Sequence, residues 1–169
     1  MSAPAMSIDS RFARDCFDVG DLADEVRIDR LCHDLLQVFC RDLIERRGVA
    51  PEEASAAAYG ASYFLCEFVI PDCRLNIFAV SAAQVRQFAG NWYIVRNLEP
   101  NLVELSDLLA GVAAFYDFCA EIGEVDAKTA ATIAQACGDL GTYRQRIESF
   151  WAIEGDGYTA WEAACSLKG

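Results

Sequence analysis

The sequence predicts an all-α protein of five or six main helices, packed as a bundle or an orthogonal array. Three observations carry that prediction. Apolar residues recur at i, i+3, i+4 and i+7 along most of the chain, and no run keeps the alternating period of a strand beyond about five residues. Helix start signals stand intact before those runs. Ser81 and Gln84 form a Ser-x-x-Gln capping box, with Val80 and Val85 at the two staple positions. The chain is also 54% hydrophobic, above the roughly 45–50% of ordinary soluble domains, and much of that excess is Ala, the strongest helix former.

Residues 1–23 read as an acidic N-terminal arm, partly helical, in which Ile8, Phe12 and Cys16 recur every four residues and can dock on the body. Residues 24–169 read as a single helical domain. Its first helix is expected over 24–47, with an apolar face of Ile28, Leu31, Cys32, Leu35, Leu36, Phe39 and Leu43. Arg46 and Arg47 suit the negative end of the dipole, and Gly48 supplies the stop. Pro51, Glu52 and Glu53 open a second helix, with Pro at its first position and acids in the first turn. Its first half is made of small residues, which let a neighbouring helix approach. Its second half is bulky, and Pro71 is expected to end it. Ala54 to Ile70 is too short and too interrupted to span a membrane and reads as a fully buried core helix.

A third helix is expected over 82–97, with Val85, Phe88, Ala89, Trp92 and Val95 facing inward. Gly90, costing about 1 kcal/mol relative to Ala inside a helix, implies close packing. The fourth runs over 102–122 on a stripe of Leu105, Leu108, Leu109, Val112, Phe115, Tyr116, Cys119 and Ile122, closed by Gly123. Asp126 caps a fifth, whose stripe is Ile133, Cys137, Leu140, Ile147 and Trp151. Gly138 and Gly141 leave one kinked helix or two short ones open. Thr159 and Glu162 form a last capping box before a short closing helix carrying Trp161, Ala164 and Cys165.

A chain of 169 residues is long enough to bury a core without staples. The net charge is −12, and residues 1–80, 81–151 and 152–169 carry −6, −4 and −2 of it. Nucleic-acid affinity comes from neutralising phosphates, so nucleic acid is an unlikely partner for a chain with no net basic segment. Asp9, Arg11, Arg14, Asp15 and Asp18 interrupt the first twenty residues and leave no apolar segment of a secretory leader. A cytoplasmic protein with no membrane partner is the expectation.

The chemistry-bearing residues are sparse. Eight cysteines include no Cys-x-x-Cys pair, and His33 is the sole histidine. Zinc sites are normally announced by closely spaced ligand pairs, so neither metal nor cofactor is expected and the thiols read as reduced core residues. Cys66 and Cys73 are the pair that could depart from this, because Pro71 can fold the chain between them. A di-iron bundle needs Glu-x-x-His pairs, which are absent. Cys32 and His33 point about 100° apart on their helix and cannot form a nucleophile pair. Gly155-Asp156-Gly157 lacks the Lys and the strand of a phosphate loop and reads as a turn. Asp24 with Glu25, Glu52 with Glu53, and Glu121 with Glu124 read as helix-end charges. No catalytic residue is assigned. Arg86, Trp92, Tyr93 and Arg96 on the third helix are the interaction candidates, being of the types enriched at interface hot spots.

The residues Phe88, Gly90, Trp92, Tyr93, Ile94 and Arg96, followed by Phe115, Tyr116, Phe118 and Gly123, form a Phe-x-Gly-x-Trp-aromatic-aliphatic pattern and a later helix end. In these the stretch 81–151 resembles an uncharacterised group of small prokaryotic helical proteins. That group brings no established activity with it. The same stretch also resembles the helical core-binding domain of tyrosine recombinases, which grips DNA. It departs from that family in being net acidic and in lacking the Arg, His and Tyr set that should follow.

Three readings of function result. The first is a non-catalytic interaction or regulatory protein that self-associates, motivated by high apolar content beside an absence of clustered catalytic groups. The second is a nucleic-acid accessory module, which needs Arg86, Arg96, Arg144 and Arg146 on one face. The third is a small-ligand or enzyme site between helices that uses His33, a cysteine and a carboxylate.

Overall fold

The computed structural model describes residues 7–164. The chain is 77% helical without a strand among the described residues, which makes it all-α. Among the described residues the helical segments join into seven packed rods rather than five or six. The difference arises at the C-terminal end, where Gly138 and Asp139 interrupt the helical hydrogen-bonding and leave two separate rods, followed by the short closing helix.

Before the first rod, two 3₁₀ turns, Ser10–Phe12 and Arg14–Phe17, press Phe12 and Phe17 fully into the core. Ile8 and Cys16 pack partly against it. Helix α1 spans Leu22–Glu45. It starts two residues earlier than the apolar pattern alone suggests, because Asp21 and Asp24 form a reciprocal capping box. Its expected stripe is buried, apart from a half-buried Leu31. Gly48 adopts φ +69°, and the Val49 amide donates back to the Leu43 carbonyl at 2.9 Å, which closes the helix end.

Helix α2, Pro51–Ser62, starts at Pro51 as expected and packs hardest on α5, Leu102–Glu121. The small residues explain the approach. A Cβ at Gly60 would lie 2.7 Å from the Leu108 carbonyl oxygen, and one at Gly111 would lie 2.3 Å from that of Ala57. The second rod departs from expectation in two ways. It does not end at Pro71 but continues as a π-helix, Tyr63–Cys73, closed by Arg74 at φ 50°. The wider turn relieves the clash that a proline ring makes with the i−4 carbonyl of an α-helix. Nor is it fully buried, since Tyr59 and Glu67 are exposed.

The third rod begins with α3, Ala82–Gln87, under the expected Ser81–Gln84 box. A second π-helix, Phe88–Trp92, follows and passes into α4, Tyr93–Arg96. That insertion shifts the buried face. Tyr93 and Ile94 are fully buried, Trp92 is half-buried and Val95 is exposed, against the inward Trp92 and Val95 of a regular 3.6-residue period. Phe88 joins the two π-helices, with ring centroids 5.1 Å from Phe64, 5.6 Å from Phe68 and 5.7 Å from Trp92.

Helix α5 buries its whole predicted stripe from Leu105 to Cys119, with Ile122 buried just beyond it, under an Asn101 cap. Helix α6, Ala127–Cys137, is capped by Asp126. Helix α7 covers Leu140–Trp151, whose Trp151 is exposed instead of joining the stripe. Helix α8, Tyr158–Ala163, follows Gly157 and has no side-chain cap. The Thr159–Glu162 box therefore does not form, and Thr159 sits inside the helix. Cys165 and residues 1–6 of the arm lie outside the described residues. No described helix is long and apolar enough to cross a membrane.

Candidate functional site

The seam where α1 lies against α2 and the first π-helix gathers most of the accessible chemistry. Asp29 and His33 are one turn apart on α1 and share a face, as i, i+4 neighbours must. Cys66 reaches the same place from the π-helix. One donor atom each from Asp29, His33 and Cys66 lies within 4.8 Å of the other two. The His33 Nδ1 donates to the Asp29 carbonyl at 2.8 Å and lies 3.5 Å from the Asp29 carboxylate. A carbonyl can only accept, so that bond selects the tautomer whose Nε2 lone pair is available. His33 and Asp29 are about half exposed, so the cluster is open to solvent.

Beneath it lies Cys32, fully buried. A hydrogen bond to Cys66, reinforced by burial, holds its thiol well above the ordinary pKa. Two surface grooves run away from the cluster along the seam. One of about 330 Å³ includes His33, Leu36, Cys40 and Tyr59. The other, about 220 Å³, includes Leu22, Val26, Asp29, Cys66, Ile70 and Pro71. Cys66 and Cys73 are both free thiols, and burial pushes the Cys73 thiol up to about 11.

Of the four interaction candidates, Trp92 and Arg96 lie together and Tyr93 is buried. Arg86 pairs with Asp139 at 2.9 Å. Trp92 donates its indole N–H to Asp72, and Arg96 both pairs with Asp72 at 3.2 Å and lies 5.2 Å over the Trp92 ring. Tyr93 is fully buried, its hydroxyl bonded to Glu104 at 2.8 Å, and offers nothing to a partner. The register shift of the second π-helix is the reason. Arg146 also turns inward, donating to the carbonyls of Gly90 at 2.9 Å and Trp161 at 3.0 Å.

Glu52 and Glu53 lie in the first turn of α2, and three other carboxylates of the expected pairs, Asp24, Glu25 and Glu121, have partners. Asp24 caps α1, and the Asp21 backbone N–H with Arg27 beside it lowers its pKa. Glu25 bonds Arg74 at 2.9 Å. Glu121 meets both Arg46 and Arg47, which also reach the nearly buried Asp42, so the C-terminal ends of α1 and α5 are latched together.

Sequence reasoning named His33, a cysteine and a carboxylate without identifying the other two. The Asp29-x-x-x-His33 spacing was a legible local signal. Cys66, 33 positions further on, was not, because its approach depends on how the π-helix packs. No family model matches the chain. Comparison with curated proteins and with solved structures gives no match.

Proposed function

We propose that this chain is a non-catalytic helical interaction protein that self-associates through the outer ridge of α1. The observation that carries the reading is the pair Leu22 and Val26, one turn apart, 73% and 52% exposed. Val26 borders a groove on each side. One contains Cys16, Ala23 and Leu31, and the other Cys66, Ile70 and Pro71. A ridge flanked by two grooves is complementary to itself across a two-fold axis, since each copy inserts its ridge into the groove of the other. Arg11, Arg27 and Arg30 with Glu25, Asp29 and Asp34 line the two grooves, three charges of each sign, which limits the repulsion that a net charge of −12 imposes elsewhere.

Fully burying a Leu or Val side chain is worth about 1.5–3 kcal/mol. Scaled by exposure and doubled for two copies, the ridge supplies roughly 5 kcal/mol. That only offsets the low end of the 4–15 kcal/mol cost of association, so the net affinity of the dimer has to come from the apolar groove walls that each ridge covers, Leu31, Ile70 and Pro71 among them. The nucleic-acid reading has less support, because Arg86, Arg96 and Arg146 are held by internal partners.

Sedimentation equilibrium up to roughly millimolar chain, where half-association needs about 4 kcal/mol net of that cost, tests the proposal. Wild type should dimerise, and the double variant Leu22→Ser with Val26→Ser should not. Leu98→Ser, at a residue 97% exposed elsewhere, should change nothing. A monomeric wild type, or a dimer indifferent to the double variant, would refute it.

A further inference from the structure

We propose that Asp29, His33 and Cys66 form a binding site for a thiophilic divalent cation of the zinc class. The inference goes beyond self-association and does not depend on it. Sulfur, imidazole nitrogen and carboxylate oxygen are the three donor types that Zn²⁺ accepts together, whereas Mg²⁺ and Ca²⁺ require oxygen sets. Bond lengths of about 2.3 Å to sulfur and 2.0 Å to nitrogen place tetrahedral ligands about 3.5 Å apart. The three donors already lie within 4.8 Å of one another, and the half-exposed His33 and Asp29 side chains are free to close the remainder.

The surroundings are those of a metal site rather than of a nucleophile. A reactive thiolate needs an electropositive setting, whereas the groups gathered with Cys66 here are a carboxylate and an imidazole. A divalent cation changes that setting. Cys66–S–H exchanges its proton for the metal, the proton leaves to solvent, and carboxylate and thiolate together neutralise the two positive charges. The second shell is in place. The Asp29 carbonyl holds the imidazole through Nδ1. A fourth tetrahedral position stays open to water.

The test is titration of the full, reduced chain with Co²⁺, followed by displacement with Zn²⁺ against a chromophoric chelator. Tetrahedral Co²⁺ bound by a thiolate shows intense ligand-to-metal and d–d absorption, which a carboxylate-only surface site does not. Wild type should bind one ion at micromolar or tighter affinity. Cys66→Ser should abolish the thiolate band, and Asp29→Asn and His33→Gln should each weaken binding at least tenfold. Cys40→Ser, outside the cluster, should bind as wild type. The Leu22→Ser, Val26→Ser chain should also bind as wild type, which separates this site from the dimer. Absence of the thiolate band in wild type, or undiminished binding in Cys66→Ser, would overturn the assignment.

Discussion

Replacing Gly111 by Ala should destabilise the protein although it adds only a methyl group and improves helix propensity. The added Cβ would stand 2.3 Å from the Ala57 carbonyl oxygen and 3.1 Å from the Ala57 Cα. These are backbone atoms of a packed helix, so no rotamer change relieves them, and α2 and α5 must separate by about 1 Å. Overpacking of this kind costs about 1–3 kcal/mol, and a backbone obstacle puts it at the upper end. Ala regains about 1 kcal/mol over Gly in a helix interior. The net loss is about 2 kcal/mol, a fall of roughly 4–8 °C in Tm for a chain of this size. Adding Ala57→Gly should not rescue it, because the obstacle is the carbonyl and not the methyl. Gly141→Ala in α7, whose new methyl would meet nothing within 4 Å, should raise Tm or leave it unchanged. Thermal melts followed by far-ultraviolet circular dichroism decide the matter. A Gly111→Ala variant that melts at or above wild type, or one less damaged than Gly141→Ala, would refute the close contact of α2 with α5.

Three further outcomes are expected. Phe17→Ala should cost about 3–5 kcal/mol in urea unfolding, because its ring is fully buried and packs edge-on against Phe78 at 5.1 Å, whereas the exposed Trp151→Ala should change stability by no more than about 0.5 kcal/mol. Stability should fall on the alkaline side: burial raises the thiols of Cys119 and Cys137 and the phenols of Tyr93, Tyr116 and Tyr143, so each ionises less readily folded than unfolded, and its contribution is complete below about pH 8.5 for thiols and 10 for phenols and is lost above, for Cys137 through about 12. A Tm that stays level to pH 11 would contradict this. Alkylation of the native chain at pH 8 with mass-spectrometric readout should mark Cys16 and Cys40 while leaving the buried Cys32, Cys119 and Cys137 unmodified, and rapid labelling of Cys119 would contradict its burial.

The regular helices were legible because their signals are local. The α5 stripe, the Ser81 box, Pro51 and the Gly48 and Gly123 stops each depend on residues a few positions apart, and the structure places them as read. The π-helices were not legible, since the choice between i−4 and i−5 bonding is settled by what packs outside the helix. That one blind spot accounts for the continuation past Pro71, the burial of Tyr93 and the exposure of Val95. The candidate site divides along the same line. Asp29 and His33 lie within one turn, while Cys66 arrives only when two rods are docked.

The π-helix at Phe88–Trp92 also restricts how this chain can change in length. Tightening to α geometry at the present length would swing Tyr93 outward and turn Trp92 and Val95 toward the oily interior, whereas the same tightening with one residue fewer would leave Tyr93 on the buried face. Substitution at the exposed positions is cheap by comparison. The demand placed on descendants of this sequence at that point is one of matching: the number of residues between Gln87 and Tyr93 has to agree with the width of the turn they make.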